Sequence, residues 1–229
     1  MGILSNIKFL IFLLALICLA FSLKITVDIK EDFNFKVEFF NYTLKNNVLK
    51  VSLYVNNIGS LEFKAKLRMD INNFTIFSGS KGFYPGKSDV LELYYFLTPN
   101  LYNVNLKLYL GNEIFDLKNF SINLSQNIST KNIFEVKNFR TYESYVEFRV
   151  KPEKSLNVII SIENYPKTWL FEQKTIFLKE NEWKWIKINY DGLYKPTNVT
   201  LKIFSEDGNY YYSENIELKK IEGFRKVFI

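Results

Sequence analysis

The stretch that decides the fold is NVNLKLY at residues 103–109, which returns as NVTLKIF at residues 198–204, an offset of 95 positions (198 − 103). Apolar and polar residues alternate in both copies, and a period of two is typical of a β-strand with one buried face. A strand pattern that recurs at a fixed distance indicates an internal repeat. The stretch therefore predicts two related units that are built from strands.

The offset extends well beyond this stretch. It holds without a gap from Val51 to Tyr109 and slips by one residue at the last turn, where Asp207-Gly208 takes the place of Gly111-Asn112. The match is strongest at alternating positions, which are the ones that a β-sandwich buries. The aligned apolar positions are Val51, Leu53, Val55, Leu61, Phe63, Ala65, Leu67, Leu91, Leu93 and Tyr95 in the first copy, and Val146, Phe148, Val150, Leu156, Val158, Ile160, Ile162, Ile186, Ile188 and Tyr190 in the second.

The repeat sets the expected architecture, which is all-β. We expect two tandem Ig-like β-sandwich domains after an N-terminal signal peptide, since such a domain has about 100 residues. The predicted boundaries are 1–22 for the leader, 23–126 and 127–220 for the two domains, and 221–229 for a basic and apolar tail. The linker at residues 125–129 is polar and short, so the domains should meet at a defined angle.

Alternation also marks the start of the first domain. A strand is expected at residues 25–29, and Phe33, Phe35, Val37 and Phe39 predict a second one with these four side chains turned inward. The pair Asn46-Asn47 then predicts a turn.

The leader combines one cation, Lys8, with an unbroken apolar run from Phe9 to Phe21. A membrane span needs about 20 apolar residues, and this run is shorter. Ala20 and Ser22 are small residues in an arrangement that predicts cleavage after Ser22. The alternative is an uncleaved anchor. Either interpretation places the rest of the chain outside the cytoplasm, secreted or attached to the cell surface.

Composition excludes several chemistries. The chain has no His, and its single cysteine, Cys18, lies in the leader. The mature part therefore has no imidazole base, thiol nucleophile, disulfide or soft-metal ligand set. We expect no catalytic residues, no metal and no cofactor. The formal net charge of +6 comes from residues spread along the chain, without a nucleic-acid-binding motif, so nucleic acid is not an expected partner.

Two segments of the first unit carry a family resemblance. Val51-Ser52-Leu53-Tyr54-Val55-Asn56-Asn57-Ile58-Gly59, followed by Tyr84-Pro85-Gly86-Lys87-Ser88 and a strand pair, resembles the CARDB/NEW3-type Ig-like repeats of archaeal secreted and S-layer-associated proteins. The second unit departs from the pattern, because Lys154 replaces Gly59 and Glu180-Asn181 replaces Pro85-Gly86. The resemblance implies adhesion, spacing or scaffolding in an envelope.

Six N-x-S/T sequons are candidate glycosylation sites in an exported chain. Asn119 and Asn123 should point outward, because Phe120, Ile122 and Leu124 alternate with them. The alternative is that an asparagine-rich composition produces sequons by chance. The six acceptors are Asn41, Asn73, Asn119, Asn123, Asn127 and Asn198.

Two tryptophans form the strongest candidate binding surface. Trp183, Trp185, Lys187 and Asn189 share the strand face opposite Ile186, Ile188 and Tyr190. Outward-facing tryptophans can stack on sugars or contact a protein. The alternative is that they cover the domain junction or lie under a loop. Tyr210, Tyr211 and Tyr212 have the same two interpretations, and at least one of them should face outward.

These observations support three functional hypotheses. The first is a non-catalytic envelope scaffold, spacer or adhesion module whose partner is an S-layer or filament protein or a surface polysaccharide. The second is a carbohydrate-binding module that uses Trp183 and Trp185. The third is an enzyme or enzyme subunit, for which the sequence offers only carboxylates such as Glu180, Glu182 and Glu206, with no pairing evident. Membrane association would involve the N-terminal segment.

Overall fold

The computed structural model describes residues 34–218, apart from residues 112, 127, 143, 165–169 and 192–196. The predicted leader, the strand expected at residues 25–29, Asn127 and the tail lie outside the described residues. All regular structure in the described part is β-strand, which confirms the all-β fold class. Within these residues there is no apolar helix of membrane-spanning length.

The first sandwich contains eight of the described strands. Its two sheets have the orders β1-β2-β6 and β4-β3-β7-β8, and β5 pairs with β3 on the same side as β4. The strands are β1 (Phe35–Lys45), β2 (Val48–Asn57), β3 (Phe63–Ile71), β4 (Phe74–Phe77), β5 (Lys81–Phe83), β6 (Ser88–Phe96), β7 (Asn100–Leu110) and β8 (Glu113–Leu124).

The second sandwich contains the other eight described strands. Its sheets have the orders β12-β14-β10-β9 and β13-β11-β15-β16. The strands are β9 (Phe134–Thr141), β10 (Tyr145–Pro152), β11 (Leu156–Asn164), β12 (Leu170–Phe171), β13 (Lys174–Leu178), β14 (Lys184–Asp191), β15 (Thr197–Ser205) and β16 (Tyr211–Leu218).

Each sandwich has its own hydrophobic core, to which both of its sheets contribute. Leu53 and Leu67 lie in one core, and Phe148 and Ile160 lie in the other; all four are fully buried. Two packed antiparallel sheets around one core make each half an Ig-like β-sandwich. The described residues nevertheless belong to one compact unit, so the predicted domain boundary at residues 126/127 stays a prediction.

The first sheets of the two sandwiches pair their strands in equivalent registers. Leu53 of β2 lies opposite Leu91 of β6, and Phe148 of β10 lies opposite Ile186 of β14. Each residue of the second pair follows its counterpart by 95 positions (148 − 53 and 186 − 91). This agreement is the structural counterpart of the offset in the sequence, although common descent of the two halves stays a prediction.

The opposite sheets differ by two residues in register. Ala65 of β3 pairs with Leu110 of β7, whereas Ile160 of β11 pairs with Ile203 of β15, where the offset predicts position 205. A shift by two residues leaves every side chain on its original face, so both cores keep their alternating apolar residues.

One predicted strand face is wrong. Phe39 is exposed, although the alternation in sequence predicts that it points inward. The register of β1 against β2 shifts between Val37 and Phe39, and after this irregularity Phe40 takes the inward position. A single extra residue in a strand reverses the faces of all residues that follow it.

An apolar seam joins the two sandwiches. Val48, Tyr94 and Phe96 of the first sandwich pack with Ile159 and Phe204 of the second, and Tyr211 packs against this cluster. The rings of Phe96 and Tyr211 stack with their centroids 4.3 Å apart. The seam explains why β11 is buried on both faces: one face lies in the second core and the other against the first sandwich.

Polar groups complete the seam. The side-chain amide of Gln173 accepts a hydrogen bond from the Tyr94 backbone N–H (2.8 Å) and donates one to its carbonyl (2.7 Å). Lys202 forms a 2.7 Å ion pair with the buried Glu163. Burial, with the Glu163 carboxylate beside it, raises the pKa of the Tyr95 hydroxyl far above its usual value. The pair of Lys202 and Glu163 lies within the second sandwich, and the Lys202 ammonium reaches across the seam to the Tyr95 hydroxyl at 3.5 Å.

Candidate functional site

The outer face of strands β9, β10 and β14 gathers aromatic and cationic side chains. Alternation places Val146, Phe148 and Val150 in the core, so the residues between them point to solvent. Antiparallel pairing then brings Arg149 opposite Trp185. We name the resulting surface the tryptophan–cation face. It comprises Glu135, Lys137, Arg140, Tyr145, Glu147, Arg149, Lys151, Trp183, Trp185 and Lys187.

Arg149 is at the centre of this face. Its guanidinium carbon lies 5.2 Å from the ring centroid of Trp183 and 5.5 Å from that of Trp185. Its Nε atom is buried and has no hydrogen-bond acceptor among the described residues, and within that part of the chain Arg149 forms no ion pair. The indoles thus hold a cation that forms no direct ion pair with a carboxylate of the described residues.

Further cations flank the two indoles. The ammonium groups of Lys137 and Lys151 lie 5.2 Å and 5.0 Å from the Trp183 ring centroid, and the guanidinium carbon of Arg140 lies 5.4 Å from that of Trp185. Each such contact is worth about 0.5–1 kcal/mol at an exposed site. The contacts keep long, flexible side chains extended along the sheet, so the positive charge is positioned rather than diffuse.

Two carboxylates offset part of the charge. Glu135 accepts hydrogen bonds from Lys137 and Lys151, the latter at 2.7 Å, and these bonds lower the pKa of Glu135. Glu147 lies 3.6 Å from Arg140 and accepts a 2.9 Å hydrogen bond from the Tyr142 hydroxyl, which raises the pKa of Tyr142. With five cations and two carboxylates, the tryptophan–cation face has a net charge of +3.

The structure places the predicted residues of this strand on one face. Trp185 is 47% exposed, Lys187 and Asn189 are exposed, and Trp183 is half-buried. Neither indole belongs to the apolar seam, and both contact cations of their own sheet instead. The alternative that the tryptophans cover the junction between the sandwiches is therefore not what the structure shows.

Sequence reasoning missed the cations of this face, including Arg149, Lys151 and Lys137. Their outward direction was readable from alternation, because Val146, Phe148 and Val150 are core positions. Their contact with the tryptophans was not readable from the sequence. β10 and β14 are neighbours in the sheet, but β11, β12 and β13 separate them along the chain.

The three predicted tyrosines lie elsewhere. Tyr211 packs in the apolar seam, and Tyr210 and Tyr212 pack against the second core, so all three are partly buried. Burial and a hydrogen bond to Glu214 raise the pKa of Tyr212. Tyr211 and Tyr212 lie on β16, and Tyr210 immediately precedes it. The three tyrosines are not part of the tryptophan–cation face.

Five of the six sequons are described, and the acceptor asparagine of each is exposed. Asn119 and Asn123 lie on the outer side of β8, as their alternation predicts. Asn73, in the turn between β3 and β4, and Asn119 border a shallow polar depression of about 850 Å³. The other described acceptors are Asn41 on β1 and Asn198 on β15.

A cleft of about 450 Å³ lies between the sandwiches. It is crossed by a 2.6 Å ion pair between Lys66 and Glu172 and lined by rings that include Phe77 and Tyr109. Beside it, Arg68 lies 5.8 Å from both ring centroids. Among the described residues, no group of three or more acidic, His or Cys side chains is arranged to hold a metal ion.

Acidic side chains in the described part of the second sandwich make separate contacts and do not converge on one another, and Glu180 is exposed. Glu182 pairs with Lys179, and Asp207 accepts hydrogen bonds from Ser205 and Asn209 within its own turn. Glu206 receives a 3.4 Å hydrogen bond from Tyr94.

Fold and site together define an all-β protein of two packed Ig-like sandwiches with one exposed aromatic and cationic surface. No family model and no curated protein matches the chain. Among solved structures, a red sea bream transglutaminase is 12% identical with a TM-score of 0.27; the match covers 81% of this chain but only 32% of the transglutaminase.

Two further solved structures match at similarly low values. The chicken interferon gamma receptor alpha chain is 10% identical with a TM-score of 0.27, over 79% of this chain and 96% of that one. The Yersinia pseudotuberculosis adhesin InvE is also 10% identical with a TM-score of 0.27, over 77% of this chain and 56% of the adhesin. At these values none of the three supports an argument about function.

Proposed function

We propose that this chain is a non-catalytic interaction protein of the cell envelope, which acts outside the cytoplasm as a scaffold, spacer or adhesion module. The apolar run from Phe9 to Phe21 supports export. Its partner is a component of the envelope, a protein of an S-layer or filament or a surface polysaccharide.

The observation that carries this proposal is the tryptophan–cation face. What supports a contact site is the combination of two neighbouring indoles with cations positioned against them, rather than the exposure of one ring. Tryptophan and arginine are also the residues that dominate binding energy at interfaces. The face is open and formed by strands rather than by a pocket, which suits an extended partner.

Two features support a non-catalytic role. The chain has no His and no Cys outside the leader, so the commonest general base and the thiol nucleophile are missing. Glu182 pairs with Lys179 and Glu206 is contacted by Tyr94, so these two acids do not form a facing pair.

Carbohydrate binding is the second candidate, and one specific observation favours it. Trp185 presents 47% of its surface to solvent on an open sheet face. Such an indole offers an apolar platform on which the C–H face of a sugar ring can stack. A sugar partner and a protein partner would both use this surface.

The proposal is tested by sedimentation of the full chain, expressed with its own leader, together with isolated envelope material. We expect the chain to sediment with the envelope and the double variant Trp183→Ala/Trp185→Ala to remain in the supernatant. The matched control is Tyr84→Ala, which removes an aromatic ring that is 60% exposed on the first sandwich. Equal sedimentation of the wild type and the double variant would contradict the proposed face.

Treatment of the envelope with protease separates the two partner classes. Sedimentation that is lost after the treatment indicates a protein partner. Sedimentation that survives it indicates a polysaccharide or lipid.

We also propose that exposed sequons carry glycans in the native protein. The accessibility of Asn119 and Asn123 supports this, because an acceptor must reach the transferring enzyme. Intact-mass measurement of the protein from its native source should show additions that disappear in Asn119→Gln and Asn123→Gln. An unmodified mass would contradict the proposal.

A further inference from the structure

We propose that the tryptophan–cation face binds an anionic polysaccharide, a polymer of uronic-acid type. This inference rests on the proposed function, because it names the partner of the same face. It follows from the net charge of the face, from the spread of its cations over an open surface, from its two indoles and from the backbone pairing of β10.

The positive charge of the face predicts that its ligand is an anion. The net charge of the face is +3, and its central cation, Arg149, has no carboxylate partner among the described residues. A guanidinium is planar and binds a carboxylate with two parallel hydrogen bonds. Arg149 is already fixed between two indoles, so little side-chain entropy is lost when an external carboxylate binds.

Form indicates a polymer rather than a small anion. The cations occupy successive rows of the sheet: Lys151 lies opposite Glu135, Arg149 opposite Lys137, and Glu147 opposite Arg140. Neighbouring strands are about 4.8 Å apart, and alternate residues on one strand are about 6.8 Å apart. Positive charge therefore extends in two directions over an open surface, which fits a chain with repeated negative charges.

The indoles indicate that this polymer is built from sugars. Trp185 is half-exposed next to Arg149 and Arg140. A uronic acid has an apolar C–H face that packs on an indole and a carboxylate at its edge that reaches the neighbouring cation. One residue of the polymer thus meets both kinds of side chain at once.

The backbone at the centre of this face argues against an acidic peptide that binds through its main chain. Extended peptides usually bind by adding a strand to a free sheet edge, where main-chain groups are unpaired. β10, which carries Arg149, lies between β9 and β14 and pairs with both of them, whereas β9 is the edge strand of the sheet. Recognition at Arg149 therefore uses side chains, which suits a polysaccharide.

The experiment measures binding of the full chain to immobilised polygalacturonate, with neutral dextran and poly-L-glutamate as comparison polymers. We expect binding to polygalacturonate that weakens as salt rises, no binding to dextran, and at least tenfold weaker binding to poly-L-glutamate. Arg149→Ala and Trp185→Ala should each lower the affinity for polygalacturonate at least about tenfold.

The matched control is Lys118→Ala, which removes one exposed cation from β8 of the first sandwich and should leave the affinity within about twofold. Circular dichroism and thermal unfolding establish that each variant is folded. If Arg149→Ala is unfolded, Arg149→Gln replaces it, since glutamine keeps most of the side-chain volume without the charge.

Three outcomes would overturn the inference: no binding to polygalacturonate, equal binding to dextran, or equal binding to poly-L-glutamate with no effect of Trp185→Ala. The last outcome would show attraction by charge alone. If polygalacturonate fails but the chain still sediments with protease-sensitive envelope material, and Arg149→Ala abolishes this, the inference falls while the proposed function stands.

Discussion

Each sandwich holds one arginine against two aromatic rings, and the two arginines differ in what neutralises them. The guanidinium carbon of Arg68 in the first sandwich lies 5.8 Å from the ring centroids of both Phe77 and Tyr109, and the guanidinium forms a 2.9 Å ion pair with Asp70. It also donates a 2.6 Å hydrogen bond to the Tyr109 hydroxyl. Arg149 of the second sandwich has the rings alone, since its Nε has no acceptor in the described chain.

The difference means that Arg68 is a structural cation, whereas Arg149 is available to an external anion. Burial alone lowers the pKa of Arg68, but its hydrogen bonds to Asp70 and Tyr109 outweigh burial and raise the pKa above its usual value. The donors of Arg68 are thus used inside the protein. Arg149 is partly exposed and forms no ion pair among the described residues, so its terminal guanidinium nitrogens, rather than its buried Nε, are the donors proposed to meet another molecule. The two sites should therefore respond differently to mutation.

The largest expected effect is on the first sandwich. Arg68→Ala should lower the free energy of unfolding by about 2 kcal/mol, because it removes hydrogen bonds to a charged group and leaves Asp70 without its cation. Affinity for polygalacturonate should not change. Urea unfolding monitored by fluorescence measures the first quantity, with Lys118→Ala, expected within about 0.5 kcal/mol of the wild type, as the control.

Arg149→Lys sharpens the comparison on the second sandwich. Lysine keeps the charge but lacks the planar fork that stacks on indoles and binds a carboxylate in two places. We expect affinity for polygalacturonate to fall about threefold, less than for Arg149→Ala, while the free energy of unfolding changes by about 1 kcal/mol or less. An affinity equal to that of the wild type would mean that only charge matters at this position.

The smallest expected effect comes from Glu135. Its two lysine partners hold its pKa below the usual 4.5, so it is ionised at neutral pH and masks both cations. Glu135→Gln should therefore raise the affinity for an anionic polymer about twofold. Acidification should act in the same direction, because Glu135 becomes protonated as the pH falls through its lowered pKa.

The acid effect needs a ligand that stays ionised, so a sulfated polysaccharide serves as the probe. Binding should strengthen for the wild type as the pH falls through the lowered pKa of Glu135, and it should strengthen less for Glu135→Gln. The ion pairs of Glu135 stabilise the face above this pH range and are lost within it. A wild-type affinity that is independent of pH would contradict the role of Glu135.

Local patterns predicted the strands and most of the buried positions. Val146, Phe148 and Val150 alternate with charged residues, and period two alone turns them inward, as it turns Trp185 outward. The same rule failed at Phe39, because an irregularity in β1 reverses the faces and leaves no clear mark in the sequence.

Contacts between residues far apart in the chain could not be predicted from the sequence. The pairing of β10 with β14 brings Arg149 to Trp185, and nothing local to either strand specifies that pairing. The seam is another such case, since Tyr211 stacks on Phe96, more than one hundred positions earlier in the chain. A tyrosine that looks exposed in an alternating strand can therefore be a contact between the sandwiches.

The central claim is that Arg149 is available to an external anion and Arg68 is not. Arginine Nε–H signals of the ¹⁵N-labelled chain, assigned with Arg149→Lys and Arg68→Lys, report on the environment of each guanidinium during titration with trigalacturonate. The account predicts that the Arg149 signal shifts with saturation while the Arg68 signal stays in place. A shift at Arg68 with none at Arg149, or no shift at either, would contradict it.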